Sequence, residues 1–196
     1  MSRYIDVAET AKMIRVALKQ KFPGIKFSVK SSRYAGGASI NVHWFNGPTR
    51  KEVQAVTGPY EGSGFDGMID MAYSKGAYLL PDGTAVYGWS QGTTGSRGSN
   101  APYQEPLPAG AEKVHFGSDY VHCERSYTDS FIAPLIEEYK RDYGNGEKIV
   151  YEPSHETKWG TVGPSIKVVP WDADLQSHIY RFIEERSEQD GKHRGL

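Results

Sequence analysis

The chain has 196 residues, with 23 Lys and Arg against 24 Asp and Glu, giving a formal net charge of -1. That balance excludes the electrostatic footprint of a protein built around nucleic acid or an anionic membrane, and equally the acidity of a DNA mimic. The single cysteine, Cys123, excludes an internal disulfide, and neither an apolar run of about 18 residues nor a charged-then-apolar leader is present, so a soluble cytoplasmic protein is expected.

Asp6 and Glu9 make a capping-box-like start, after which Val7, Ala11, Ile14 and Leu18 recur at helical spacing until Phe22-Pro23-Gly24. This predicts a helix over 6–21. The stretch PGIKFSVKSSRYAGGASINVHWF then shows the strongest local order in the chain. Ile25, Phe27 and Val29 alternate with Lys26, Ser28 and Lys30, and Ile40, Val42 and Trp44 alternate with Asn41, His43 and Phe45. Period-2 alternation on both sides of Gly36-Gly37 predicts a β-hairpin with arms over 25–30 and 39–45. Ile14, Leu18, Phe27, Val29, Ile40, Val42 and Trp44 are the expected core. Thr49 with Glu52 starts a short helix that Gly58-Pro59 ends.

Further on, Pro81-Asp82-Gly83 between Ala77–Leu80 and Thr84–Tyr87 has the composition of a turn joining two strands. Residues 90–108 contain SQGTTGSRGSN and three prolines, and so form a long loop ahead of a strand over Lys113–Phe116. Thr128 or Asp129 caps a helix to Tyr143, with Gly144 as its stop. Lys148–Glu152 and Ser165–Val169 read as strands around the connector PSHETKWGTVGP, and Asp172 caps a last amphipathic helix. The expected fold is α+β. Its mainly antiparallel sheet starts from the N-terminal helix-hairpin-helix unit, and helices 6–21 and 129–143 pack on it.

The segments FPGIKFSVKSSRYAGGASINVHW, FDGMID, GTTGSRGS and VHFGSDYVHCERS together resemble a large polyvalent protein associated domain, a family of phages and conjugative elements, over roughly residues 5–130. The resemblance implies an α+β module over 1–130; it does not cover the last 65 residues or so, whose own elements predict a helix-strand-strand-helix extension over 131–196 on the same core. It implies an accessory protein of a bacterial mobile element, working in the host cytoplasm, and it transfers no catalytic residues. By analogy with other small proteins of such elements, an anti-CRISPR or anti-restriction role follows as an expectation.

Several residue groups suggest chemistry. His115, Asp119, His122 and Cys123 are of metal-ligand type, but on a strand His122 and Cys123 point to opposite faces, and no CxxC or HExxH spacing supports them. Cys123 with a distant histidine would make a nucleophile, although a lone cysteine is more often a small buried apolar residue. Asp66 and Asp70 in FDGMID could be paired carboxylates, against which stands the turn-forming habit of aspartate before Gly67. GTTGSRGS lacks the lysine of a phosphate-binding loop. Lys26, Lys30, Arg33, Tyr34 and Arg97 would suit nucleic acid, a partner that the overall charge disfavours.

The reading that best fits is a non-catalytic module that binds a host or element-encoded protein, with no metal or organic cofactor and no membrane. Its expected surface combines Arg33 and Tyr34 at the hairpin tip, Asn41, His43 and Phe45 on the outward hairpin face, and Arg97. The acidic corner at Asp66 and Asp70 is the next candidate. A nucleic-acid-binding role, or a small Cys/His- or carboxylate-dependent enzyme, are the alternatives.

Overall fold

A computed structural model describes residues 2–90, 107 and 109–186. Arg97, the loop around it and the polar tail beyond Arg186 lie outside the described residues. The fold is α+β, and the chain groups into two compact units. One comprises the described residues up to His43 together with Lys51–Glu124; the other comprises Trp44–Arg50 and the described residues from Arg125 onward.

The first unit begins with a strand, β1 (Arg3–Ile5), which corrects the expectation that a helix opens the chain. Three residues carry no readable period, and β1 forms only because β7 (Glu112–Phe116) lies beside it in parallel, pairing Ile5 with Phe116. Helix α1 (Val7–Lys21) follows, with the Asp6 carboxylate accepting from the Ala8 N–H at 2.8 Å. Its face of Val7, Ala11, Ile14 and Leu18 is buried, as the spacing predicts.

The hairpin forms where expected but with longer arms, β2 (Ser28–Tyr34) and β3 (Gly37–Phe45). Val29 pairs with Val42 and Lys30 with Asn41, while Gly36 takes the turn at φ 90°. The register is the predicted one. Val29, Ile40, Val42 and Trp44 are buried, Lys26, Ser28 and Lys30 are exposed, and only Phe27 falls short, half-buried against the Phe22 ring. Val42 is fully enclosed, so Val42→Ala should cost about 1 to 3 kcal/mol through lost methyl contacts and the cavity left behind. A chemical-denaturation midpoint equal to that of the parent would remove Val42 from the core.

The expected single sheet is corrected. The hairpin forms a three-stranded sheet in the order β2-β3-β8, with β8 spanning Tyr120–Ser126. A separate five-stranded sheet runs β1-β7-β5-β4 with β6 also on β5, where β4 is Ser63–Asp66, β5 Met71–Leu79 and β6 Ala85–Ser90. Between the two hairpin segments lies α2 (Arg50–Thr57). The Pro81-Asp82-Gly83 turn is as predicted, with Gly83 at φ 85° and Asp82 accepting from the Thr84 N–H at 2.9 Å.

In the second unit, α3 (Asp129–Tyr143) and α4 (Ala173–Glu184) cover an antiparallel pair of β9 (Ile149–Glu152) and β12 (Ser165–Val168). Ile132, Ile136, Tyr139, Ile149, Ile166 and Ile179 share one apolar cluster, so α3 packs on β9 and α4 within this unit. The connector holds an unpredicted hairpin, β10 (His155–Thr157) and β11 (Gly160–Val162). Its short strands are exposed throughout, so no apolar alternation marks them.

The Asp129 carboxylate accepts from the Ser154 N–H at 3.0 Å and from the hydroxyls of Ser154 and Tyr151. These donors, Ser154 foremost, hold its pKa below the usual carboxylate value, while burial and the carboxylate push Tyr151 up to about 12. The lowered carboxylate pKa contributes stability that is complete above the unfolded value near 4 and is lost as pH falls through the folded one. Thermal melts should show that loss below about pH 4, with Asp129→Asn flattening it. An acid limb of equal steepness in both proteins would contradict the assignment.

Candidate functional site

The hairpin tip is braced by carboxylates. Arg33 pairs with Asp6, and Asp119, on the turn before β8, accepts from Tyr34 Oη at 3.2 Å, the Ala38 N–H at 3.0 Å and Ser63 Oγ at 3.0 Å. Burial and then the Asp119 bond push the Tyr34 phenol up. Both Arg33 and Tyr34 are exposed, yet each is tied down by a carboxylate of its own unit. A Cβ on Gly37 would stand 2.0 Å from Asp119 Oδ2, so a larger residue there would displace the carboxylate from the brace.

This brace borders a polar cleft of about 290 Å³ lined by Tyr4, Asp6, Arg33, His115 and Asp119. His115 Nδ1 lies 2.9 Å from the Lys75 carbonyl. A carbonyl only accepts, so Nδ1 is the donor in this contact. The structure thus brings His115 and Asp119 to one cleft with Arg33, but not His122 or Cys123. His122 is exposed on one face of β8, while Cys123 turns the other way, its Sγ 3.3 Å from Thr57 Oγ1. Among the described residues no group of three His, Cys, Asp or Glu is placed to hold a metal ion.

Along β3, Asn41 is exposed, His43 half-buried and Phe45 exposed, opposite in phase to the buried Ile40, Val42 and Trp44. The two aspartates of FDGMID separate. Asp66 is buried and accepts from the Met68 N–H at 3.0 Å, whereas Asp70 is exposed in the left-handed region at φ 53°.

What sequence reasoning missed at this corner is its apolar character. Asp66 pairs with Met71, so residues 67–70 form the loop joining β4 to β5. Around it Phe65 is 52% exposed, Met68 70%, Ile69 53% and Met71 60%. Loops are ordinarily polar, so apolar side chains flanking an Asp-Gly turn were the available signal. Methionine's flexible, polarizable side chain adapts to many partner shapes.

Residues 5–128 match the model of large polyvalent protein associated domain 29, and the chain belongs to that family. No curated protein and no solved structure matches it.

Proposed function

We propose that this protein is a non-catalytic accessory factor of a bacterial mobile genetic element that acts by docking its β4–β5 corner on a host or element-encoded protein. The observation that carries this reading is the set of four large apolar side chains, Phe65, Met68, Ile69 and Met71, held in water by a turn whose buried Asp66 fixes the loop. Apolar anchors that a fold leaves exposed lower their free energy when a partner covers them. The corner lies within the family match, and that family's association with mobile elements supports a setting in the bacterial cytoplasm. Among the described residues no helix is long and apolar enough to cross a membrane. Interference with a CRISPR or restriction system is the specific role that this setting favours.

A net charge of -1 offers nucleic acid no overall attraction, which favours protein as the partner. The immobilised protein should therefore retain a host protein from lysate equally well with and without nuclease. Retention that nuclease abolishes would replace this reading with nucleic-acid binding.

A further inference from the structure

The net charge of -1 hides an uneven distribution. The first 43 residues hold eight Lys and Arg against two acids, Asp6 and Glu9. Lys12, Arg15 and Lys19 follow one another at i, i+3 and i+7 on an exposed stripe of α1, while Lys26, just ahead of β2, and Lys30 within it are exposed as well. None of these five forms an ion pair among the described residues. Like charges so spaced on a helix destabilise it slightly, and an anionic partner would relieve the repulsion.

The stripe flanks an open sheet edge. β2 is the outer strand of β2-β3-β8, so one side of its backbone meets no other strand. Arg15 donates to the Val29 carbonyl, and Arg33 pairs with Asp6 at the start of α1. Nine residues of helix and four of strand each span about 13 Å, so α1 and β2 run side by side in opposite directions. The Val29 carbonyl thus points away from β3, and Ser31 and Arg33, in the same phase of the strand, turn their N–H and C=O groups the same way. Both residues are exposed. Beside α1 there is therefore a row of main-chain donors and acceptors outside the ladder, bordered by cations.

We propose that this edge takes up an extended, acidic segment of a partner protein, which adds a strand to β2 and sets its carboxylates against the cations of α1 and β2. An added strand pairs the outward N–H and C=O groups, and its alternate side chains reach the two sides of the sheet. Nucleic acid fits this edge less well. Phosphates accept and do not donate, so they leave the outward carbonyls unmatched, and between Lys12 and Lys30 no aromatic side chain is exposed to stack a base. The surface shares no residue with the β4–β5 corner, so it stands or falls apart from that reading.

The test is a titration of the ¹⁵N-labelled full chain with a blocked peptide alternating Glu and Val, with its Gln and Val counterpart, and with a short DNA duplex. The acidic peptide should shift the amides of Ser31 and Arg33 and bind at least about tenfold more tightly than the neutral one, an advantage that added salt erodes. A Lys12→Glu, Lys30→Glu double variant, changed at two exposed positions, should melt with the parent and erase the preference. Ser31→Pro removes an outward N–H and spares the β2–β3 ladder, so it should weaken the acidic peptide about threefold or more. Binding of neither peptide, equal binding of the two, shifts confined to other regions, a preference that survives the double variant, an affinity untouched by Ser31→Pro, or tighter binding of the duplex at these amides would each overturn the proposal.

Discussion

Arg125→Ala should destabilise the second unit by roughly 3 to 5 kcal/mol, the largest effect expected of any single substitution considered. The residue is 5% exposed, yet it is charged, and its guanidinium donates to four carbonyls: Asn46 at 2.8 Å, Gly47 at 3.1 Å, Glu184 at 3.2 Å and Arg186 at 2.7 Å. The carbonyls of Glu184 and Arg186 lie at the C-terminal end of α4, where backbone acceptors lack intrahelical donors and the helix dipole favours a cation. Those of Asn46 and Gly47 belong to a turn with both residues in the left-handed region, at φ 52° and 54°. The guanidinium also lies 5.0 Å from the Tyr127 ring and 5.1 Å from the Phe131 ring. Lysine presents a compact ammonium in place of the planar fork, so Arg125→Lys should recover little of the loss. Equilibrium urea unfolding checks this, and a loss under about 1 kcal/mol for Arg125→Ala would contradict it.

Gly62→Ala should cost about 3 kcal/mol, at the upper end of overpacking effects. A Cβ there would stand 2.0 Å from the Phe116 carbonyl oxygen, which is backbone and cannot swing aside. Nor can residue 62 retreat, because its N–H donates to the Ser118 carbonyl at 2.7 Å and its carbonyl accepts from the Lys75 N–H at 2.8 Å. Close backbone approach, rather than any need for positive φ, requires glycine here. A thermal melt of Gly62→Ala that overlays the parent would show that the strands part more readily than these bonds allow.

These two positions also show where sequence reading ends. The hairpin of β2 and β3 was legible because its period and its Gly-Gly stop are local, and α1, α3 and α4 were legible from apolar spacing between a cap and a breaker. Pairing of β1 with β7 was not, since Arg3 meets Val114 across most of the chain and three residues hold no period. β4 is only four residues, SGFD, in a glycine-rich setting. Helix α3 was placed in sequence but not in space, because an amphipathic face says that it packs and not on what.

The candidate site was legible in the same partial way. Arg33 and Tyr34 were chosen as exposed tip residues, which they are, but their bonds to Asp6 and Asp119 join residues 27 and 85 apart and leave no local trace. Substituting either therefore touches the brace as well as any partner. FDGMID drew notice for its two acids, although its exposed apolar side chains are the more unusual feature.

The claim that this corner is the docking surface is tested most directly by calorimetric titration of the protein retained from nuclease-treated lysate. The titrants are the parent and a Met68→Ser, Ile69→Ser double variant. Both positions are exposed on a loop, so the variant should melt with the parent and bind at least about tenfold more weakly. Equal affinity from a variant that melts with the parent would contradict the account and place the binding surface elsewhere on the molecule.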